Sequence, residues 1–312
     1  MCTSASSSTT PTTQRRCSQG LLRRHPHRAP LLRRPRRIIK PDDGLPPLTS
    51  DARLQRALDA ALDAAKLRRD AAACVIDVDR ARVAQWRSRE DIYPASVIKI
   101  ALMTSAFARF AAGTLGPIER VRIAHENVTP TAEPTPLMPR YEATVQQLVE
   151  LMIERSDNIA TNQLIDLLRR EHVTVEMRAL GLEQFFLGRK LSGADPLIED
   201  PESSRRNSFT PHDAAQLLRL IALGRVPGAS AQRALLERCM HNDRLTLGLR
   251  AGDRFAHKTG ETSKVSHDAG ILRTPAGGHY VIVLYTQPAS LGDVTDVNPL
   301  MAAWMRALRA HL

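Results

Sequence analysis

Three short polar motifs stand in a fixed order along this 312-residue chain: Ser96-Val97-Ile98-Lys99, Ser156-Asp157-Asn158 and Lys258-Thr259-Gly260. Any one of them occurs by chance in many proteins. If all three serve one site, the fold must return distant segments to one cleft. That requirement constrains the architecture more than any compositional property does.

Around the first motif, apolar residues recur at Val97, Ile100, Ala101, Thr104, Phe107 and Ala108. This is helical spacing, so Ser96 is expected to open a helix, with Pro94 placed where a missing N–H costs little. Ser96 and Lys99 then share one face of the first turn. A serine hydroxyl needs a base to become a nucleophile, and a lysine of depressed pKa can serve. A free backbone N–H at a helix start can stabilise a developing oxyanion. The plainer alternative is a serine cap followed by a solvated lysine. Against it, Ile100 to Phe110 holds a single charge, Arg109, so the helix reads as buried and Lys99 needs a partner or a purpose.

Ser156-Asp157-Asn158 falls between the stripe Val145, Leu148, Val149, Met152, Ile153 and the stripe Ile159, Leu164, Ile165, Leu168. A turn between two helices could project Ser156 as a proton relay and Asn158 toward a substrate amide. An ordinary capping turn uses the same residue types. Lys258-Thr259-Gly260 reads as a strand ahead of a hairpin, whose strands are Asp268 to Leu272 and Tyr280 to Tyr285 with Gly277-Gly278 at the turn. Lys258 would offer positive charge to a carboxylate and Thr259 a hydroxyl. Gly260 would let a substrate lie close to the backbone, and the N–H of Glu261 would be a second oxyanion donor. A surface turn with a lysine is the alternative.

With these residues in hand, the chain resembles the class A β-lactamase-like active-site-serine hydrolases, a superfamily shared with the penicillin-binding proteins, from about Asp51 to Leu312. The separation of Ser96 from Ser156 is what that family shows. Thr210-Pro211-His212-Asp213 is similar to the start of the helix that follows the family's active-site loop. The resemblance implies Ser96 as acylated nucleophile, Lys99 as proton acceptor and Ser156 as proton shuttle. It implies that Lys258 and Thr259 hold a carboxylate. One departure matters. The family carries a Glu and an Asn four residues apart on that loop, where they hold the water that clears the acyl-enzyme. Here the residue four before Asn207 is Ser203, and Asp195, Glu199 and Glu202 do not fit the pattern. Acylation is therefore better supported than rapid deacylation, and His267-Asp268 is a candidate replacement base.

The net charge of +11 belongs mostly to the first fifty residues. They hold ten Arg or Lys against two Asp and are rich in Ser, Thr and Pro. The expectation is a basic disordered tail over 1–50 and a catalytic domain over 51–312. The tail lacks the apolar core of a normal secretory signal. Localisation is open, although the resemblance suggests a secreted or periplasmic protein. No run of eighteen apolar residues is seen, so no transmembrane helix is expected. The cysteines, at 2, 17, 74 and 239, do not form a disulfide framework or a metal-ligand cluster. No metal or other cofactor is expected, nor a nucleic-acid partner, and the chain reads as a monomer with a small-molecule substrate.

Periodicity places a helix at about Asp51 to Arg69, strands near 72–78 and 82–88, and the Ser96 helix. Helices with loops, including one at 187–209, fill 144–223, and another helix spans about 230–240. Strands return over 254–286, and a helix over Asn298 to Leu312 closes the chain. The fold class is α/β (α+β): an antiparallel sheet flanked by terminal helices, from 51–95 and 224–312, with an all-helical subdomain inserted over 96–223. The leading functional reading is hydrolysis of a β-lactam or similar cyclic amide through a Ser96 acyl-enzyme. A D,D-peptidase or esterase with slow deacylation, and a non-turnover β-lactam-binding protein, are the alternatives.

Overall fold

The computed structural model describes residues 44–131, 133–288 and 293–312. The tail up to residue 43, with Cys2 and Cys17, lies outside the described residues.

Asp51 caps the first helix, α1 (Ala52–Ala64), by accepting a hydrogen bond from the Leu54 N–H at 2.8 Å. α1 stops short of the expected Arg69 because Lys66 turns left-handed. The N–H groups of Lys66 and Leu67 then return to the carbonyls of Asp63 and Leu62 at 3.0 and 2.9 Å, which closes a Schellman turn. β1 (Thr49–Ser50), β2 (Ala71–Asp77) and β3 (Arg82–Trp86) pair with each other and with β8, described below. Residues 44–50, assigned by composition to the tail, belong to the fold: Thr49-Ser50 runs parallel to β3, and Leu45 and Leu48 pack on the core. So short a strand carries no period of its own, which is why composition misplaced it.

A 3₁₀ turn (Ala95–Ile98) leads into α2 (Lys99–Ala112). By length and composition alone, Ala95–Ala112 could cross a membrane, but most of it is buried inside the protein as a core helix. β4 (Arg120–Arg122) and β5 (Glu142–Thr144) form a small separate ladder that the sequence pattern did not reveal. The helices α3 (Val145–Glu154), α4 (Asn158–Leu168), α5 (Arg170–Ala179), α6 (Pro211–Ala222) and α7 (Ala229–Leu236) follow. Thr210 caps α6 with Pro211 at its first turn. β6 (Arg254–Thr262), β7 (Val265–Arg273) and β8 (His279–Thr286) form the antiparallel meander, and α8 (Asn298–Arg309) returns to the sheet.

The six-stranded sheet has the order β1-β3-β2-β8-β7-β6. It is antiparallel except for β1, so the expected fold class holds. Both faces are covered, and the period of two sorts the side chains. Ala71, Ala73, Val75, Ile282 and Leu284 pack with Leu58, Leu62, Met301 and Trp304 of α1 and α8. Ala72, Cys74, Ile76, Val281 and Val283 face the inserted helices with Ile98, Leu102, Leu217 and Leu218. β6, which carries the third motif, is an edge strand, so its outer backbone groups are free of a neighbouring strand.

The 187–209 loop is clasped from within. Asn207 Oδ1 accepts from the N–H groups of Gly188 and Arg189 at 2.8 and 3.0 Å. Asn162 of α4 bonds both the N–H and the C=O of Leu191, at 2.8 and 2.9 Å. Arg170 holds Asp200 with two contacts of 2.8 and 3.0 Å, and both side chains are almost fully buried. Removing one partner of a buried pair strands the other charge. Arg170→Ala is therefore expected to lower the unfolding free energy by about 3–5 kcal/mol, read from a shift in the urea midpoint.

Candidate active site

Ser96 lies inside the 3₁₀ turn, not at the start of an α-helix, and is partly exposed. Ala95, just before it, has φ +46, a costly conformation for a residue with a Cβ. The edge strand β6 packs against this turn at Gly260. A Cβ there would sit 2.9 Å from Pro94 O and 3.1 Å from Ser96 N, so only glycine permits the approach. The close packing sets the third motif beside the first.

Ser156 occupies the αα corner between α3 and α4 with φ +57. Asp157 caps α4 by accepting from the Ala160 N–H at 2.9 Å, and Asn158 is the first residue of that helix. The second motif is thus both a capping turn and a projection into the cleft. Lys99 Nζ donates to Ser156 O at 2.7 Å, Asn158 Oδ1 at 2.7 Å and Ser156 Oγ at 3.1 Å. None of these three bonds goes to Ser96. Lys258 Nζ donates to Ser156 Oγ at 2.9 Å and to Thr259 O at 2.9 Å. The Ser156 hydroxyl therefore bridges two fully buried lysines.

Burial disfavours the charged form of Lys99 and, with repulsion from Lys258, holds its pKa well below that of an ordinary lysine; Asp157 opposes this. Lys258 is lowered to about 8, mainly by burial, with Arg244 adding repulsion and Cys239 and Asp268 opposing. Two adjacent amines are thereby separated in character: one inclined to be neutral, one closer to its charged state.

His267 is not a free base. Its ring stacks on Tyr285 with centroids 4.1 Å apart. Nδ1 accepts from the Thr286 N–H at 3.1 Å, which leaves Nε2 to donate to Tyr93 O at 2.8 Å. Both nitrogens are committed, and burial pushes its pKa down to about 4. Asp268 pairs instead with His257 Nδ1, at 2.8 Å. The sequence order His-Asp suggested a pair, but adjacent strand residues point to opposite faces, so the two diverge. Asp195, Glu199 and Glu202 on the loop are exposed.

Sequence reasoning missed Arg244. It lies in the loop after α7, and its side chain is 4% exposed. It contacts Asp243 at 2.7 Å, Ser266 Oγ at 2.8 Å and the carboxylate of Glu261, and its charge acts on Lys258. In a chain with so many arginines, only the chain path back to β6 distinguishes this one. Among the described residues, no group of three or more His, Cys, Asp or Glu converges as a metal site requires.

A family profile described as "Beta-lactamase enzyme family" matches residues 53–309. The chain belongs to that family. Among its relatives, Beta-lactamase FAR-1 of Nocardia farcinica is 30% identical over 244 residues, which is 75% of each chain. A beta-lactamase of Rhodobacter capsulatus is 26% identical over 208 residues, 64% of this chain and 70% of that protein. In solved structures, a beta-lactamase from Sphaerobacter thermophilus superposes with a TM-score of 0.72 at 27% identity, covering 82% of this chain and 97% of its own. PBP-A shares the fold with a TM-score of 0.73 at 23% identity, covering 86% of this chain and 98% of its own. This β-lactamase family member is a serine hydrolase of the β-lactamase type.

The buried neutral His267 also sets a pH dependence of stability. Its folded pKa, about 4, lies below the unfolded value of 6.5, so the unfolded chain binds the extra proton first. Stability from this group is complete above 6.5 and is lost as the pH falls toward 4. A His267→Gln variant is expected to show a shallower decline over that window, measured by denaturant unfolding at stepped pH.

Proposed function

We propose that the protein opens the amide bond of a β-lactam through an ester on Ser96. The observation that carries this reading is the desolvated Lys99, held by Ser156 and Asn158 one helical turn from Ser96. A neutral amine there can take the Ser96 Oγ proton as Oγ attacks the lactam carbonyl. The N–H groups of Ser96 and Glu261 stabilise the oxyanion. When the C–N bond breaks, the nitrogen takes a proton through Ser156, which lies within hydrogen-bond distance of both lysines. Asn158 binds the substrate amide. Lys258 and Thr259 hold the substrate carboxylate, while Gly260 keeps strand and nucleophile in contact. Water then releases the acid and regenerates Ser96. That an acyl-enzyme complex with penicillin G has been solved for a variant of PBP-A supports a penicillin as the probe.

We further propose that residues 44–312 act as one monomeric catalytic unit, with sheet parts 44–95 and 224–312 and a helical part 96–223, and without a nucleic-acid partner or a membrane span.

Intact mass followed over time with a modest excess of penicillin, with free drug measured in parallel, tests the reaction. The expected result is an adduct on Ser96 with drug consumed beyond one equivalent, and no adduct in Ser96→Ala. Labelling that survives in Ser96→Ala refutes the nucleophile; drug loss that halts at one equivalent refutes turnover.

Acylation should also be bell-shaped in pH. The rate rises as Lys99 loses its proton and falls as the pH passes the Lys258 value of about 8, where the charge that holds the carboxylate disappears. Rates of adduct formation across pH 5 to 10, roughly the range where such groups titrate, would show both limbs.

A further inference from the structure

Thr259 and Glu261 are two residues apart on β6, so their side chains leave the same face of the strand. Thr259 is the proposed carboxylate contact, yet the neighbouring position on that face is itself a carboxylate. It does not project loosely. It binds Arg244, which comes from the loop after α7 and reaches Ser266, the ladder partner of Glu261 on β7.

Arg244 is held on every side. Nε donates to Ser266 Oγ at 2.8 Å, Nη1 to Asp243 Oδ1 at 2.7 Å and Nη2 to Glu261. Ser266 Oγ donates to Asn298 Oδ1 at 2.8 Å, and Asn298 Nδ2 donates to Asp243 Oδ2 at 3.0 Å. The chain of bonds closes on itself and leaves a single arginine facing two carboxylates. Its side chain is 4% exposed, whereas that of Glu261 is 40% exposed. The arginine is fixed; the glutamate can swing out toward water.

We propose that Glu261 is a built-in carboxylate that occupies Arg244, so that the carboxylate of an anionic β-lactam must first displace it before Lys258 and Thr259 can hold the substrate. The inference rests on the Ser96 acyl-enzyme reading. A substrate carboxylate approaching Thr259 meets the Glu261 carboxylate on the same strand face, and like-charge juxtaposition weakens binding. It binds well only to the fraction of molecules in which Glu261 has swung away, which lowers its apparent affinity by that fraction. A neutral ester at the same position meets no such repulsion. Glu261 therefore carries two separable parts: its N–H faces the reacting carbonyl, and its side chain sets which charge is admitted beside it.

The experiment compares acylation rates of Ser96 by a penicillin and by the methyl ester of the same penicillin, using intact mass on the full chain. Glu261→Gln, and independently Glu261→Ser, are expected to raise the ratio of the acid rate to the ester rate roughly tenfold, a ratio in which any common effect on the acylation step cancels. An equal change for both compounds in a folded variant overturns the proposal while leaving the acyl-enzyme reading intact. Failure of both compounds to label Ser96 in every protein refutes the acyl-enzyme reading, and the selectivity proposal falls with it.

Discussion

The desolvation of Lys99 is the constraint on which the rest of the site depends. A lysine in water is a cation and takes no proton. Placed at the head of a buried helix, with Ser156 and Asn158 as its hydrogen-bond partners and a second buried lysine nearby, it is disfavoured as a cation. That environment needs two elements far apart in the chain. α2 brings the amine, and the α3–α4 corner brings the partners. The strained φ of Ala95 and Ser156 is the local cost of aiming a hydroxyl from each segment into the same space.

The second requirement is close approach at the sheet edge. Gly260 allows β6 to touch the turn that carries Ser96, and a side chain there would push the strand away from the proposed nucleophile. The edge position of β6 matters for the same reason, because an inner strand has no backbone left for a substrate. Behind this wall lies a dense set of buried charges, Lys258, His257, Asp268 and Arg244, each with its partners. Their burial makes the wall rigid and also makes its electrostatics sensitive to single substitutions.

Much of this was legible beforehand. The helices and the β6–β8 meander follow from apolar periods of 3.6 and two. The three motifs came together in the structure because each lies where one element ends or meets an edge. What was not legible has common physical causes. β1, β4 and β5 are too short to display a period. The end of α1 depends on a left-handed lysine, a residue type that does not signal a stop. His267 looked available because sequence shows its neighbour Asp268, but not the Tyr93 carbonyl and Thr286 N–H that use both of its nitrogens.

By itself, the sequence determined the class of chemistry, the family and the identity of the residues that could carry the reaction, because these depend on residue type and on spacing along the chain. It also showed that the loop lacks the family's Glu–Asn pair. Only the tertiary structure decided which amine is driven toward neutrality, which histidine is locked and which arginine faces Glu261. Those outcomes depend on distance, burial and partners contributed by segments remote in sequence, and no local pattern encodes them.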